Sequence, residues 1–116
     1  MPGRRPQLFL TARMAYTAAL GVRHGVPGSG ELLDHAMASL VGLHADTEHG
    51  GWLSEPGTVT RKMTYDHVHV GLAASSALTV GHPGATALLE QVVDVIDTRL
   101  WDPQALALLE SFAPDW

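Results

Sequence analysis

Four stretches of the chain carry helical periodicity, and they alternate between two kinds of face. Leu8 to Val22 is apolar nearly all round, interrupted only by Thr11, Arg13 and Thr17, and a helix of that kind is expected to be buried on every side. Glu31 to His44 places Leu33, Met37, Leu40 and Val41 together, with Glu31, Asp34, His35 and Ser39 largely away from them. That pattern predicts an outer helix half in water. Tyr65 to Val80 returns to the first kind, because Val68, Val70, Leu72, Ala73, Ala74, Ala77 and Leu78 leave little room for a charged face. Ala85 to Leu100 repeats the second, with Leu88, Leu89, Val92, Val93, Ile96 and Leu100 opposed by Glu90, Gln91, Asp94 and Asp97.

Buried, half-buried, buried, half-buried is the order of helical hairpins stacked with one helix inside a ring and its partner outside. Gly25-Val26-Pro27-Gly28 and Gly81-His82-Pro83-Gly84 end the first helix of each pair and introduce the second, as glycine and proline do at such corners. Between the pairs, Gly50-Gly51-Trp52-Leu53 through Thr58-Val59-Thr60 reads as a short β-hairpin turning at Glu55-Pro56-Gly57. Leu106 to Phe112 reads as a further strand. Thr64 is placed to cap the third helix, which puts Tyr65 and Asp66 in its first turn, where Asp66 complements the helix dipole. The expectation is therefore an all-α unit spanning residues 1–116, made of about two hairpins with a short β-hairpin between helices.

Composition narrows the function classes. The 116 residues carry a net charge of −5, which offers no basic stripe for a phosphate backbone, so nucleic acid is not an expected partner. No run approaches the roughly eighteen apolar residues of a membrane span. Arg4 and Arg5 ahead of Leu8-Phe9-Leu10 imitate a twin-arginine export signal, but Arg13 interrupts the apolar region and no small-residue cleavage site follows. A cytoplasmic protein is expected, and the absence of cysteine leaves stability to packing alone.

Seven histidines invite a metal reading that the spacing does not support. His67 and His69 are two apart on a helix and cannot face one ion together, and His44, Asp46, Glu48 and His49 read as a solvated turn. No metal site is expected. Arg13 has Phe9, Leu10, Tyr16 and Thr17 three and four positions away, none of them acidic. Its guanidinium is therefore left either to a structural carboxylate from elsewhere or to the oxygens of a ligand. Tyr65 and His69, one turn apart, share a face that either packs or lines a cavity, and His67 is turned away from both. Trp52, Trp101 and Trp116 follow helix ends, where large rings close a core edge, and Trp52 has a second possible place at a pocket rim. The Gly-rich stretches lack the Lys-Ser/Thr of a phosphate loop.

Leu8-Phe9-Leu10-Thr11-Ala12-Arg13-Met14, Asp46 to Trp52 with its Gly50-Gly51-Trp52, Lys62-Met63-Thr64-Tyr65-Asp66-His67, Thr79-Val80-Gly81-His82-Pro83, and Leu100-Trp101 with Leu109-Glu110-Ser111 together resemble the N-acylglucosamine 2-epimerase family. The similarity is to the branch of mannose and sulfoquinovose isomerases, and it runs from Leu8 to Trp116. It implies an (α/α)6 barrel of which this chain supplies an early portion, so that the rest of the barrel is required. It further implies a cofactor-free interconversion of an aldose and a ketose, or of C2 epimers, by proton transfer at C2 through an enediol-like intermediate. The acid and base it implies are histidines on helices beyond Trp116, which leaves no catalytic residue in this chain. Within the chain it implies a monosaccharide contacted by Arg13 and Tyr65. Phe9 stands where relatives often place a pocket Trp, which leaves an apolar wall without the indole N–H, and His69 joins these as a candidate. The reading from another class, a non-catalytic helical-repeat module that binds a partner protein, stays open at this point.

Overall fold

The computed structural model describes residues 5–58 and 60–116, and within them the four helices fall close to where the hydrophobic pattern places them. They are α1 (Leu8–Arg23), α2 (Ser29–Ala38), α3 (Thr64–Thr79) and α4 (Ala85–Val95). The outer helices α2 and α4 each run on into a single wider π-type turn, Ser39–Leu43 and Ile96–Leu100, so each continuous helical segment ends within a residue of its predicted end. α1 packs on α2 and α3, and α3 packs on α4. Two hairpins thus stand side by side, joined through their first helices. At the far corner the Nδ1 of His82 accepts the Gly84 N–H, which leaves Nε2–H to donate to Asp34 Oδ1 of α2 at 2.9 Å.

The core between the hairpins is built from small side chains. Ala12, Ala15, Ala18 and Ala19 of α1 and Ala73, Ala74 and Ala77 of α3 are all at most 2% exposed, and Val70, Leu8, Leu33, Met37, Leu40, Leu88 and Val92 complete the interior. A seam of alanines lets two helix backbones approach closely. α1 and α3 run parallel, since Phe9 near the start of one meets Tyr65 near the start of the other, while Tyr16 to Arg23 and Ser75 to Thr79 border a common groove further along.

Burial on every side is not what α1 and α3 show. Leu10, Met14, Tyr16 and Leu20 of α1, and Tyr65, Val68, Leu72 and Leu78 of α3, are 36–55% exposed, because only two neighbours pack against each helix among the described residues. On the outer helices Val41 and Val93, grouped by the pattern with the buried side, also face solvent.

The strand pairing differs in place from the sequence expectation. Trp52 forms an isolated bridge with Ala45, and Glu55 to Thr58 is a turn closed by the Thr58 N–H on the Glu55 carbonyl; Val59 lies outside the described residues. The β-hairpin expected over Gly50 to Thr60 is therefore not formed among the described residues, and the strand pairs lie elsewhere, one joining distant chain and one local. β1 (Lys62–Met63) pairs antiparallel with β4 (Ser111–Phe112), and β2 (Trp101–Asp102) pairs with β3 (Ala107–Leu108). Leu106 to Phe112 accordingly holds two short strands rather than one. Thr64 is not the cap of α3 either: that position is Met63, with no side-chain capping bond. The Thr64 hydroxyl instead donates to the Leu109 carbonyl and its N–H to the Glu110 carbonyl, so the C-terminal segment claims the groups a cap would have used.

Candidate functional site

The residues singled out in the sequence lie at one end of the molecule, where α1 and α3 begin. Ser54 holds the two starts together: its carbonyl accepts the Leu8 N–H at 2.8 Å, and its hydroxyl donates to Asp66 Oδ2 at 2.5 Å. Pinning both helix starts to one residue sets Phe9 against Tyr65 edge to face, with ring centroids 5.9 Å apart at 60°. The Tyr65 and His69 rings are 4.3 Å apart, and His69 Nδ1–H donates to the Tyr65 carbonyl at 2.8 Å, which leaves Nε2 of a neutral ring free to accept. Arg13 follows Phe9 by one turn on the same side of α1. It is exposed and makes no ion pair among the described residues.

Three side chains of different character thus lie together, an apolar ring, a phenol more than half exposed and a half-buried imidazole, with an exposed guanidinium fork one turn along α1. Aromatic rings of this kind pack against the C–H faces of a polyhydroxy ligand, and five guanidinium donors suit its oxygens. Beside Phe9 a cavity of about 190 Å³ is lined by Gln7, Ser54, Glu55 and Asp66.

Behind the aromatic wall lies a layer of buried polar groups. His67, fully buried, donates from Nδ1 to the Met63 carbonyl at 2.7 Å and accepts the Trp52 N–H on Nε2 at 3.2 Å. Burial pushes its pKa down, against the opposing pull of the Met63 hydrogen bond. His44 is held in the same way, with Nδ1–H on the Leu53 carbonyl at 3.2 Å and Nε2 beside the Thr11 hydroxyl at 3.1 Å, and burial lowers its pKa as well. Lys62 Nζ reaches Asp46 Oδ2 at 2.7 Å and the Gly50 carbonyl at 2.6 Å, under the Trp116 ring at 4.6 Å. Burial alone would raise the Asp46 carboxyl, but hydrogen bonds from Lys62 and from the His49 and Glu48 N–H groups, with the Lys62 charge, hold it at about 2. Of the group His44, Asp46, Glu48 and His49, His44 faces inward to Thr11 and Leu53, while His49 lies 3.5 Å from Asp46 and 3.8 Å from Glu48. Among the described residues no three metal-ligating side chains converge.

Trp52 is 2% exposed and donates from its indole to the Leu40 carbonyl at 2.9 Å, which makes it core rather than rim. Sequence reasoning placed His67 away from the Tyr65 face, as found, but did not foresee the anchoring roles of His44, His67 and Ser54. The available signal was Thr11, a lone hydroxyl on the inward side of an apolar helix, which needs a partner when buried.

A sequence profile described as N-acylglucosamine 2-epimerase (GlcNAc 2-epimerase) matches residues 1–116. The chain belongs to the N-acylglucosamine 2-epimerase family. It is 46% identical over 119 residues to a D-mannose isomerase of Pseudomonas cannabina pv. alisalensis, covering all of this chain and 29% of that protein. It is 38% identical over 121 residues to a D-mannose isomerase of Thermobifida fusca, covering all of this chain and 30% of that one. Among solved structures it superposes on cellobiose 2-epimerase from Spirochaeta thermophila DSM 6192 with a TM-score of 0.91 at 22% identity, over the whole of this chain and 31% of the other. The corresponding figures for cellobiose 2-epimerase from Bacillus thermoamylovorans B4167 are 0.86 and 19%, over 95% and 30%. These structural relatives are (α/α)6 barrels, and the two hairpins described here follow that architecture. The chain spans about three-tenths of the length of the relatives it matches. Members of the family are sugar isomerases and epimerases, and no helix among the described residues is long and apolar enough to cross a membrane.

Proposed function

We propose that this chain forms about two of the six hairpins of an (α/α)6 sugar isomerase that interconverts an aldose and a ketose of the mannose–fructose kind. The reaction moves a proton at C2 through an enediol intermediate and takes place in the cytoplasm. The observation that carries the reading is the convergence of Phe9, Tyr65 and His69 at the open end of the inner helices, with Arg13 one turn along. In this reading Arg13 donates to the sugar oxygens, the Tyr65 hydroxyl hydrogen-bonds a sugar hydroxyl, Phe9 provides an apolar wall, and His69 Nε2 completes the lining. The acid and base come from helices beyond Trp116, and no cofactor takes part. A 2-epimerase begins with the same C2 proton transfer; the higher identity to the D-mannose isomerases favours the ketose as product.

Complementation tests this division of labour. The purified chain alone is incubated with D-mannose and the products are separated by chromatography, then the trial is repeated after co-expression with the part of the Pseudomonas cannabina isomerase outside the matched segment. Proton transfer needs a positioned acid and base, so fructose is expected only from the pair. Fructose formed by the chain alone would refute the placement of the acid and base beyond Trp116. An assembled pair that converts no sugar would refute the isomerase reading.

A further inference from the structure

Trp52, Leu53 and Ser54 tie the starts of α1 and α3 together, and each is held by a different side chain. The Trp52 N–H donates to His67 Nε2 at 3.2 Å, the Leu53 carbonyl accepts from His44 Nδ1 at 3.2 Å, and the Ser54 hydroxyl donates to Asp66 Oδ2. Both imidazoles are fully buried, and that burial holds each below the usual histidine pKa. They differ in what a proton does to them. His44 has an outlet, because its Nε2 faces the Thr11 hydroxyl at 3.1 Å and that hydroxyl has a second acceptor in the Gln7 carbonyl at 3.2 Å. When His44 is protonated, Thr11 turns its hydrogen to Gln7 and accepts from the ring. His67 has no such outlet. Its Nδ1–H is committed to the Met63 carbonyl at 2.7 Å, so a proton on Nε2 points at the Trp52 N–H, a backbone donor that cannot become an acceptor. The Gly51 backbone closes the space beside Nε2, where an added β-carbon would lie 2.9 Å away.

We propose that His67 is the proton sensor of an acid-sensitive clasp: its protonation releases the Gly51–Trp52 peptide and, through Ser54, uncouples the start of α1 from that of α3 and breaks the edge-to-face contact of Phe9 with Tyr65. The device governs the aromatic wall whichever ligand that wall takes, and its test contains no sugar. Around the ring, Asp66 beside it on α3 favours the proton, while Lys62 on β1, paired with Asp46 of the loop, opposes it. On the C-terminal side the Trp116 ring meets the imidazole at 5.7 Å, with Arg99 5.7 Å from the same indole. The closed form binds the proton more weakly than the open one, whose histidine has its ordinary value of 6.5. The clasp is therefore intact above pH 6.5 and loosens below it, with the open-to-closed ratio rising about tenfold for each pH unit.

Hydrogen–deuterium exchange of the whole chain, read amide by amide by mass spectrometry and corrected for the intrinsic pH dependence of exchange, tests the clasp. Protection of the Trp52 N–H, and of the Leu8 N–H held by the Ser54 carbonyl, should be level above pH 6.5 and then fall together by about tenfold per pH unit. Ala15 and Ala74, in the seam between the helices, should keep theirs. His67→Gln offers Trp52 an amide oxygen that does not titrate, so its protection should stay level, and His44→Gln should leave the fall intact. The clasp is overturned if protection in the native chain stays level, falls equally at Ala15 and Ala74, or falls at Trp52 without Leu8. It is equally overturned if the fall persists in His67→Gln or vanishes in His44→Gln. Should either variant not fold, slow deuterium uptake at the ring C2–H of His67 in the native chain must titrate over the same interval as the Trp52 protection, and a midpoint elsewhere overturns the proposal.

Discussion

Replacing Lys62 by Met should be among the most damaging single changes in the chain. The Lys62 side chain is 0% exposed and Asp46 is 9% exposed, with Nζ and Oδ2 2.7 Å apart. Removing the ammonium leaves a buried carboxylate with no cation, a change that typically costs about 3–5 kcal/mol. An independent bound comes from Asp46 itself. Its pKa is lowered from 3.8 to about 2, worth about 2–3 kcal/mol at 1.36 kcal/mol per pH unit. Because the folded value lies below the unfolded one, that stability is complete above about pH 4 and is lost as the pH falls through 2. Urea unfolding followed by tryptophan fluorescence is well suited, since Trp116 lies over Lys62. The native chain should lose stability steadily between pH 4 and 2, and Lys62→Met should lose about 3–5 kcal/mol at pH 7. The double change Lys62→Met with Asp46→Leu should recover much of it, because two apolar groups leave no buried charge. A loss below about 1 kcal/mol in Lys62→Met, or a double variant as unstable as the single one, would refute the argument that the pair is desolvated.

Gly51 has φ +74°, and a β-carbon there would lie 2.7 Å from Trp116 Cζ2 and 2.9 Å from His67 Nε2; Gly51→Ala should lower stability by about 2–3 kcal/mol in the same urea assay. The exposed apolar faces of α1 and α3 should make the chain self-associate when expressed alone, as light scattering will report, and a compact monomer with a cooperative melt would contradict that. In the complemented enzyme, Arg13→Ala should lower kcat/KM about a hundredfold, close to 3 kcal/mol, with the melting temperature unchanged because the side chain is exposed. Tyr65→Phe should cost less, about 1–2 kcal/mol; unaltered kcat/KM in either variant would remove that residue from the pocket.

The parts legible in the sequence are those that depend on neighbours close along the chain. Periodicity located all four helices, and the one-turn spacing of Tyr65 and His69 put their rings on one face. What escaped was non-local. The Thr64 groups were claimed by Leu109 and Glu110, 45 and 46 positions away, and β1 found its partner at β4 rather than across the nearby turn. The Ser54–Asp66 and Thr11–His44 bonds likewise join segments whose proximity only the fold creates. The expected all-round burial of α1 and α3 failed for a different reason, since periodicity reports how much apolar surface a helix carries and not whether its neighbours are present.

The alanine seam between α1 and α3 fixes a length. Six parallel axes arranged as a hexagon have a ring radius equal to the spacing between adjacent axes. A seam of small side chains holds that spacing near the lower end of the usual range, about 8 Å. Since a helix with its side chains has a radius of about 5 Å, a ring built on this spacing leaves a central bore only about 6 Å across. A pyranose does not fit so far down. Under the proposed function the sugar is therefore held at the rim where the inner helices begin, which is where Phe9 and Tyr65 stand, and widening the seam with a larger residue at Ala15 or Ala74 would enlarge the bore rather than that rim.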